Sequence, residues 1–243
     1  MLENLRKTFL DTFLPQFCLN CDKEGEIICS NCFSLIEICD FVYCPFCKKP
    51  QRLLKKGVCA NHHRHFLDGL HFATSYQDRL VKKMLANFKY EPYLKTLALP
   101  LASLIIAYFI KSKNTMVFTS GENSVFIPIP LNKTKKRKRG FNQAELLSEV
   151  LAEYFNVSLL RNVLLKIKKT PSQVGLSYEQ RKENVRATFL VKNPGLIASK
   201  KIFSIDDVFT TGSTIEEAAR VLKQAGAQSV WGITVAREPL TSN

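Results

Sequence analysis

Ile202-Phe203-Ser204-Ile205-Asp206-Asp207-Val208-Phe209-Thr210-Thr211-Gly212-Ser213-Thr214 joins an apolar run, two consecutive carboxylates and a run of hydroxyls around one glycine. The apolar run reads as a strand, and open α/β sheets bind ligands beyond the carboxyl ends of their strands. Adjacent carboxylates accept hydrogen bonds from a vicinal diol. The hydroxyls and N–H groups of Thr210, Thr211, Gly212, Ser213 and Thr214, at the start of a helix, suit a phosphate dianion. A ribose 5-phosphate meets both requirements. A helix from about Ile215 to Gln224, a stop at Gly226 and a strand from Val230 to Val235 complete a βαβ unit. The fold class expected is therefore α/β, a mostly parallel sheet with helices on both faces.

Working outward, Leu70 to Ser75 reads as a strand, and Leu80, Val81, Met84, Leu85 and Phe88 recur at helical spacing. Leu97 to Ile110 is the most apolar run, but it falls short of the roughly 20 residues a membrane span needs. It reads as a buried helix. Val125 to Pro130 reads as a short strand closed by its prolines. Lys133 to Arg139 is a charge run expected as a basic loop, and Gly140 breaks it. Asn142 is a plausible N-cap for a helix burying Ala144, Leu147, Val150, Leu151 and Tyr154. Val163 to Leu165 suits a strand, Thr170 to Gly175 a polar loop, and Ser177 to Arg186 a helix.

The chain carries 35 Lys and Arg against 21 Asp and Glu, a formal charge of +14. Such a balance favours phosphate-bearing partners. All eight cysteines fall between Cys18 and Cys59. Arg6, Lys7 and Asp11 interrupt the first apolar stretch, so a signal peptide is not expected, and clustered Cys-x-x-Cys pairs then read as metal ligands rather than disulfides. Cys18-x-x-Cys21 and Cys29-x-x-Cys32 suit one tetrahedral Zn²⁺. Cys44-x-x-Cys47 with Cys59-x-x-His62 suits a second. Spacing leaves an interleaved pairing open, and also a substitution of His63 for His62. Cys39 reads as a core thiol, and His63 and His65 as surface residues. The expected division is a zinc module over 1–66 and an α/β domain over 67–243, with structural rather than catalytic zinc.

The thirteen-residue run closely resembles the phosphoribosyl-pyrophosphate signature of type I phosphoribosyltransferases. Ile127-Pro128-Ile129-Pro130-Leu131, Arg139-Gly140-Phe141-Asn142-Gln143, and Gln173 through Leu176 to Arg181 and Asn184 narrow the resemblance to the ComF family of competence proteins. With the cysteine pairs it covers nearly the whole chain; His62 stands where the family usually has cysteine. The resemblance implies a phosphoribosyltransferase-type domain behind a double zinc ribbon. It also implies a cytoplasmic role in handling single-stranded DNA during natural transformation, with other competence proteins at the inner membrane as candidate partners.

The resemblance further implies binding of 5-phosphoribosyl 1-pyrophosphate with Mg²⁺. Asp206 and Asp207 would hold the ribose hydroxyls, directly or through the metal, and Thr210 to Thr214 the 5-phosphate. Arg139 is the first candidate for the pyrophosphate. Lys133, Lys135, Lys136, Arg137 and Lys138 are candidates for DNA phosphates. The alternative is a transferase acting on a small amine or nucleobase acceptor, with DNA binding incidental. None of these residues identifies an acceptor.

Overall fold

The computed structural model describes residues 16–47, 52–53, 57–114, 118, 123–167 and 187–238. The loop expected over 170–175, the helix expected over 177–186, and Gln173, Leu176, Arg181 and Asn184 lie outside them.

Two short strands, β1 (Val42–Tyr43) and β2 (Arg52–Leu53), pair antiparallel in the cysteine-rich region, where helix α1 covers Ser30–Ser34. The main chain of elements then runs β3 (Gly69–Ser75), α2 (Arg79–Lys89), α3 (Ala98–Lys111), β4 (Ser124–Pro128), α4 (Lys133–Arg139), α5 (Gln143–Phe155) and β5 (Ser158–Leu159). It continues with β6 (Leu164–Lys166), β7 (Phe189–Val191), β8 (Lys201–Phe209), α6 (Ser213–Gln224) and β9 (Ser229–Arg237). Strands β3-β9-β8-β4-β5 form one sheet in that order, every pairing parallel. The fold class expected from the sequence is the one found.

Each face of the sheet carries its own core. Phe126, Phe203, Ile205 and Ile233 pack with α2, α3 and α5 on one side. Val125, Ile127, Ile202 and Val230 pack with α6 on the other. The alternation of Ile202 with Phe203 and of Val125 with Phe126 follows from the two-residue period of a strand buried on both faces. From β4 the chain winds outward through α5 to β5, and from β8 it winds the opposite way through α6 to β9. The connections diverge between β4 and β8, which opens a crevice at their carboxyl ends.

Three elements differ from the sequence reading. The charge run is the helix α4, because Asn132 caps it through its side chain to the Thr134 N–H at 2.9 Å and Gly140, at φ +77°, ends it. Strand β8 does not stop at Ile205; its pairing with β9 continues through Asp206 and Val208 to Phe209. Tyr154, expected on the buried face of α5, is exposed, whereas Asn142 caps that helix as expected, accepting the Ala144 N–H at 3.2 Å.

The cysteine-rich region shares the core of the α/β part. Cys18, Ile28, Cys29, Cys32 and Ile36 belong to the same buried cluster as Val81, Met84, Leu101 and Tyr108. Among the described residues, no helix is long and apolar enough to cross a membrane.

Candidate functional site

At the carboxyl ends of β4 and β8 lies a cleft of about 380 Å³. Asp206 and Asp207 enter it from the end of β8. Thr210, Gly212, Ser213 and Thr214 enter from the turn into α6, Arg139 and Lys135 from α4, and Lys166 from β6. Lys89, Tyr90 and Tyr76 close it from the β3–α2 side. Thr211 is not among the lining residues; its hydroxyl lies 2.9 Å from that of Ser213, within the turn.

The turn requires glycine at 212. Its φ is +79°, and a Cβ there would stand 2.4 Å from the Phe209 ring. The tight passage from Phe209 into α6 brings the first residues of the helix, Ser213 and Thr214, to the cleft, and helix N-termini receive phosphates.

The two carboxylates differ in environment. Asp207 is buried and meets Lys89 Nζ at 3.0 Å. Burial works against the Lys89 ammonium, but the charges of Asp207 and Asp206 outweigh it and lift its pKa above the ordinary lysine value. Asp206 accepts the Asp207 N–H at 2.9 Å. Burial, and then the neighbouring charge of Asp207, push its pKa up to about 7, with Lys89 opposing. A divalent cation or a hydroxyl donor would relieve that strain. Opposite the carboxylates, Lys135 and Lys166 are held below the ordinary lysine range by burial first and by neighbouring cations second. A polyanion would relieve theirs.

Arg139 Nη1 donates to Gln143 Oε1 at 2.9 Å, and its guanidinium faces the Tyr90 ring at 5.8 Å. Gln143 is buried and donates from Nε2 to the Phe88 carbonyl, while Asn142 donates to the Ile129 carbonyl. Arg139 is therefore held from two sides, and both amides serve the framework of the cleft.

The basic residues expected to act together are divided by the helix they form. Lys135 and Arg139, four residues apart, face the first cleft. Lys133, Lys136 and Arg137 face a second cleft of about 620 Å³, with Arg161, Leu164 and Ile167. Lys166, Pro130, Leu131 and Asn142 line both. Lys138 lines neither. Lys136 pairs with Glu145 at 2.9 Å.

Lys89 and Lys166 were not singled out from the sequence. A lysine closing an amphipathic helix reads as an ordinary complement to the helix dipole, and only the fold brings Lys89 to Asp207, 118 residues away.

The cysteines pair in sequence order. Donor atoms of Cys18, Cys21, Cys29 and Cys32 all lie within 4.8 Å of one another, as do those of Cys44, Cys47, Cys59 and His62. The interleaved pairing is excluded by this arrangement. The Cys21 and Cys29 sulfurs are 3.6 Å apart, as are those of Cys47 and Cys59, near the ~3.8 Å edge of a tetrahedron with 2.3 Å metal–sulfur bonds. His62 Nδ1, and not His63, points into the second set, 3.1 Å from the Cys59 sulfur. Both sets could hold a metal such as zinc. Burial first, then contact with Cys59 and Cys44, raises the Cys47 thiol, while Cys59, which burial would also raise, is lowered by its contacts with Cys47 and Cys44. Cys39 stands outside both sets, half-buried, its thiol raised to about 11 by burial and by Glu37 and Asp40. His65 is not a plain surface residue: it stacks on Phe46 and reaches Glu216.

No protein-family model matches the chain. Competence protein F of Haemophilus influenzae is 36% identical over 110 residues, 44% of this chain and 48% of that protein, so the chain spans about half of that relative's length. Competence protein ComFC of Bacillus subtilis is 31% identical over 228 residues, covering 88% of this chain and 86% of that protein. Among solved structures, adenine phosphoribosyltransferase from Saccharomyces cerevisiae overlaps 59% of this chain and 69% of its own at 15% identity, with a TM-score of 0.36. At 31% identity over 88% of its length, the chain belongs to the ComFC family of competence proteins.

Proposed function

We propose that the protein binds 5-phosphoribosyl 1-pyrophosphate with Mg²⁺ in the cleft at the end of β8 and handles single-stranded DNA along the second cleft beside it. The supporting observation is that Asp206, Asp207, Thr210, Gly212, Ser213 and Thr214 open onto one cavity together with Lys89, Lys135, Arg139 and Lys166. Carboxylates suit the ribose diol and the metal, the turn suits the 5-phosphate, and the four cations suit the pyrophosphate. Mg²⁺ held at Asp206 and Asp207 would supply positive charge against a leaving pyrophosphate as the ribose carbon takes on oxocarbenium character. The cations of this chain would share that charge, with Arg139 pre-positioned by Gln143 and Tyr90.

Lys133, Lys136, Arg137 and Arg161 would take strand phosphates, which carry no base code. On this reading ligand and DNA occupy neighbouring clefts that meet at Lys166. The division into a zinc module over 1–66 and a phosphoribosyltransferase-like domain over 67–243, and a place beside other competence proteins at the inner membrane, belong to the same reading.

The test is a titration of zinc-loaded protein with 5-phosphoribosyl 1-pyrophosphate and Mg²⁺, repeated on Asp206→Ala/Asp207→Ala and with single-stranded DNA present. Micromolar-range binding lost in the double variant is expected, together with DNA binding that weakens steeply with salt. No binding by the wild type overturns the ligand assignment. Asp206 favours one further reading, transfer to an amine or nucleobase acceptor: burial raises this carboxyl, so with no cation bound there it can accept a proton. Pyrophosphate release that depends on such an acceptor, unaffected by DNA, would establish transfer as the primary activity.

A further inference from the structure

The two cysteine clusters lean on different parts of the α/β domain. The first docks on helices of the sheet face opposite α6: Lys83 of α2 donates to the Leu19 carbonyl, and Lys111 of α3 to the Ile38 carbonyl at 2.7 Å. The second is fastened to the strand end and helix that frame the phosphate turn.

Two connections run from it. Phe46, between two ligands of the second cluster in sequence, stacks on His65 with ring centroids 3.5 Å apart and meets Phe209 edge-on at 6.3 Å. Phe209 is the ring against which Gly212 folds. Arg237, buried at the end of β9, fixes this stretch by donating to the Pro45 carbonyl at 3.0 Å and the Cys47 carbonyl at 2.9 Å. On the other side of the cluster, three residues past His62, Glu216 gathers the chain. One carboxylate oxygen accepts the Phe66 N–H at 2.8 Å and lies 3.2 Å from His65 Nδ1; the other accepts the Leu67 N–H at 3.0 Å. Glu216 sits in the first turn of α6, and its own N–H donates to the Gly212 carbonyl at 2.8 Å.

We propose that metal bound at Cys44, Cys47, Cys59 and His62 positions the phosphate turn, with Phe46–Phe209 and Glu216 as the positioning contacts. The first cluster has no such role. This rests on the reading of Thr210–Thr214 as the phosphate seat. The physical reason is entropic: a segment held to few core residues regains conformational freedom when its four ligands separate. Phe46 and the 65–67 backbone are the parts of that segment in contact with Phe209 and Glu216. A thiolate-binding divalent cation such as Zn²⁺ is the chemical class the donor set takes.

The experiment measures amide hydrogen exchange over residues 209–216, zinc content, and 5-phosphoribosyl 1-pyrophosphate affinity in the full chain. His62→Ala is expected to lose one zinc per chain, lower protection in 209–216 by about 10-fold or more, and weaken ligand affinity by a similar factor. Cys21→Ser should lose the other zinc and leave 209–216 unchanged. Glu216→Ala should keep both zincs and reproduce the loss of protection, which decides the matter even if His62→Ala fails to fold. Equal effects from the two clusters, unchanged exchange in Glu216→Ala, or a wild type without zinc at the second set would overturn the proposal. Exchange is read without ligand, so failure of all forms to bind 5-phosphoribosyl 1-pyrophosphate would strike the proposed function and leave this inference to be judged on the exchange alone.

Discussion

Asp206 and Asp207 are chemically identical neighbours on one strand, and the fold makes them different acids. Asp207 is 5% exposed and has the Lys89 ammonium against it. Burial first, and then the charge of Asp207, push Asp206 up to about 7 against an ordinary 3.8, with Lys89 opposing. A carboxyl whose folded pKa is raised contributes stability that is fully present below about 3.8 and is lost as pH rises through about 7. Asp206→Asn removes this loss while its side-chain oxygen still accepts the Asp207 N–H. The variant should therefore gain in Tm relative to wild type as pH rises from 4 to 8, by several degrees at pH 8, while losing Mg²⁺-dependent ligand binding. A gain that does not vary with pH would contradict the assignment. Lys89→Met should act in the opposite direction, leaving Asp207 buried without its cation. Because Lys89 is 28% exposed, the cost is expected at about 2 kcal/mol, below the ~3–5 kcal/mol of a fully buried pair. Denaturant unfolding at pH 7.5 measures it, and a stability equal to that of wild type would contradict the pairing.

Seven residues, Lys-Thr-Lys-Lys-Arg-Lys-Arg, looked like a solvated tract in the sequence and form a helix with two working faces. Helical spacing assigns Lys135 and Arg139 to the ligand cleft and Lys133, Lys136 and Arg137 to its neighbour. Lys135→Ala/Arg139→Ala is expected to weaken 5-phosphoribosyl 1-pyrophosphate at least ~10-fold, as loss of charge-assisted contacts would, with little effect on DNA. Lys133→Ala/Arg137→Ala should do the reverse and lower the log–log salt slope of single-stranded DNA binding by about 1.4. Equivalent loss of both ligands in both variants would mean that the clefts are not separate. The strand–turn–helix passage from β8 into α6, the cap at Asn142 and the Cys-x-x-Cys pairs were legible because each depends on residues adjacent in the chain, whereas which pairs share a set was left open by spacing and is decided by the fold. The helical state of α4 was not, since it rests on a cap at Asn132 that a run of like charges obscures. Lys89, Lys166 and the Glu216 strap were not legible either, because long-range packing supplies their partners: 150 residues separate Glu216 from the Phe66 N–H it accepts.

The molecule as a whole is less divided than its sequence. The change of composition near residue 66 suggests two units, yet the buried thiols of the first cluster belong to the core that α2 and α3 build on the sheet. The Thr74 hydroxyl and the Cys39 N–H bind across the same seam, to the Glu37 and Ala73 carbonyls. A region of this size has at most a marginal core of its own, and its buried residues join a larger one. The protein should consequently unfold as one cooperative unit when zinc-loaded, with a single calorimetric transition whose calorimetric and van't Hoff enthalpies agree. Removal of zinc should lower that transition by more than about 10 °C, because a structural site contributes several kcal/mol and 1 kcal/mol corresponds to roughly 2–4 °C at this length. The fall should extend to the α/β domain, read by near-ultraviolet circular dichroism of Trp231, which stacks on His71 at 5.0 Å in β3. Two resolved transitions, with the Trp231 signal unchanged across the zinc-sensitive one, would show that the cysteine-rich region is an independent module after all.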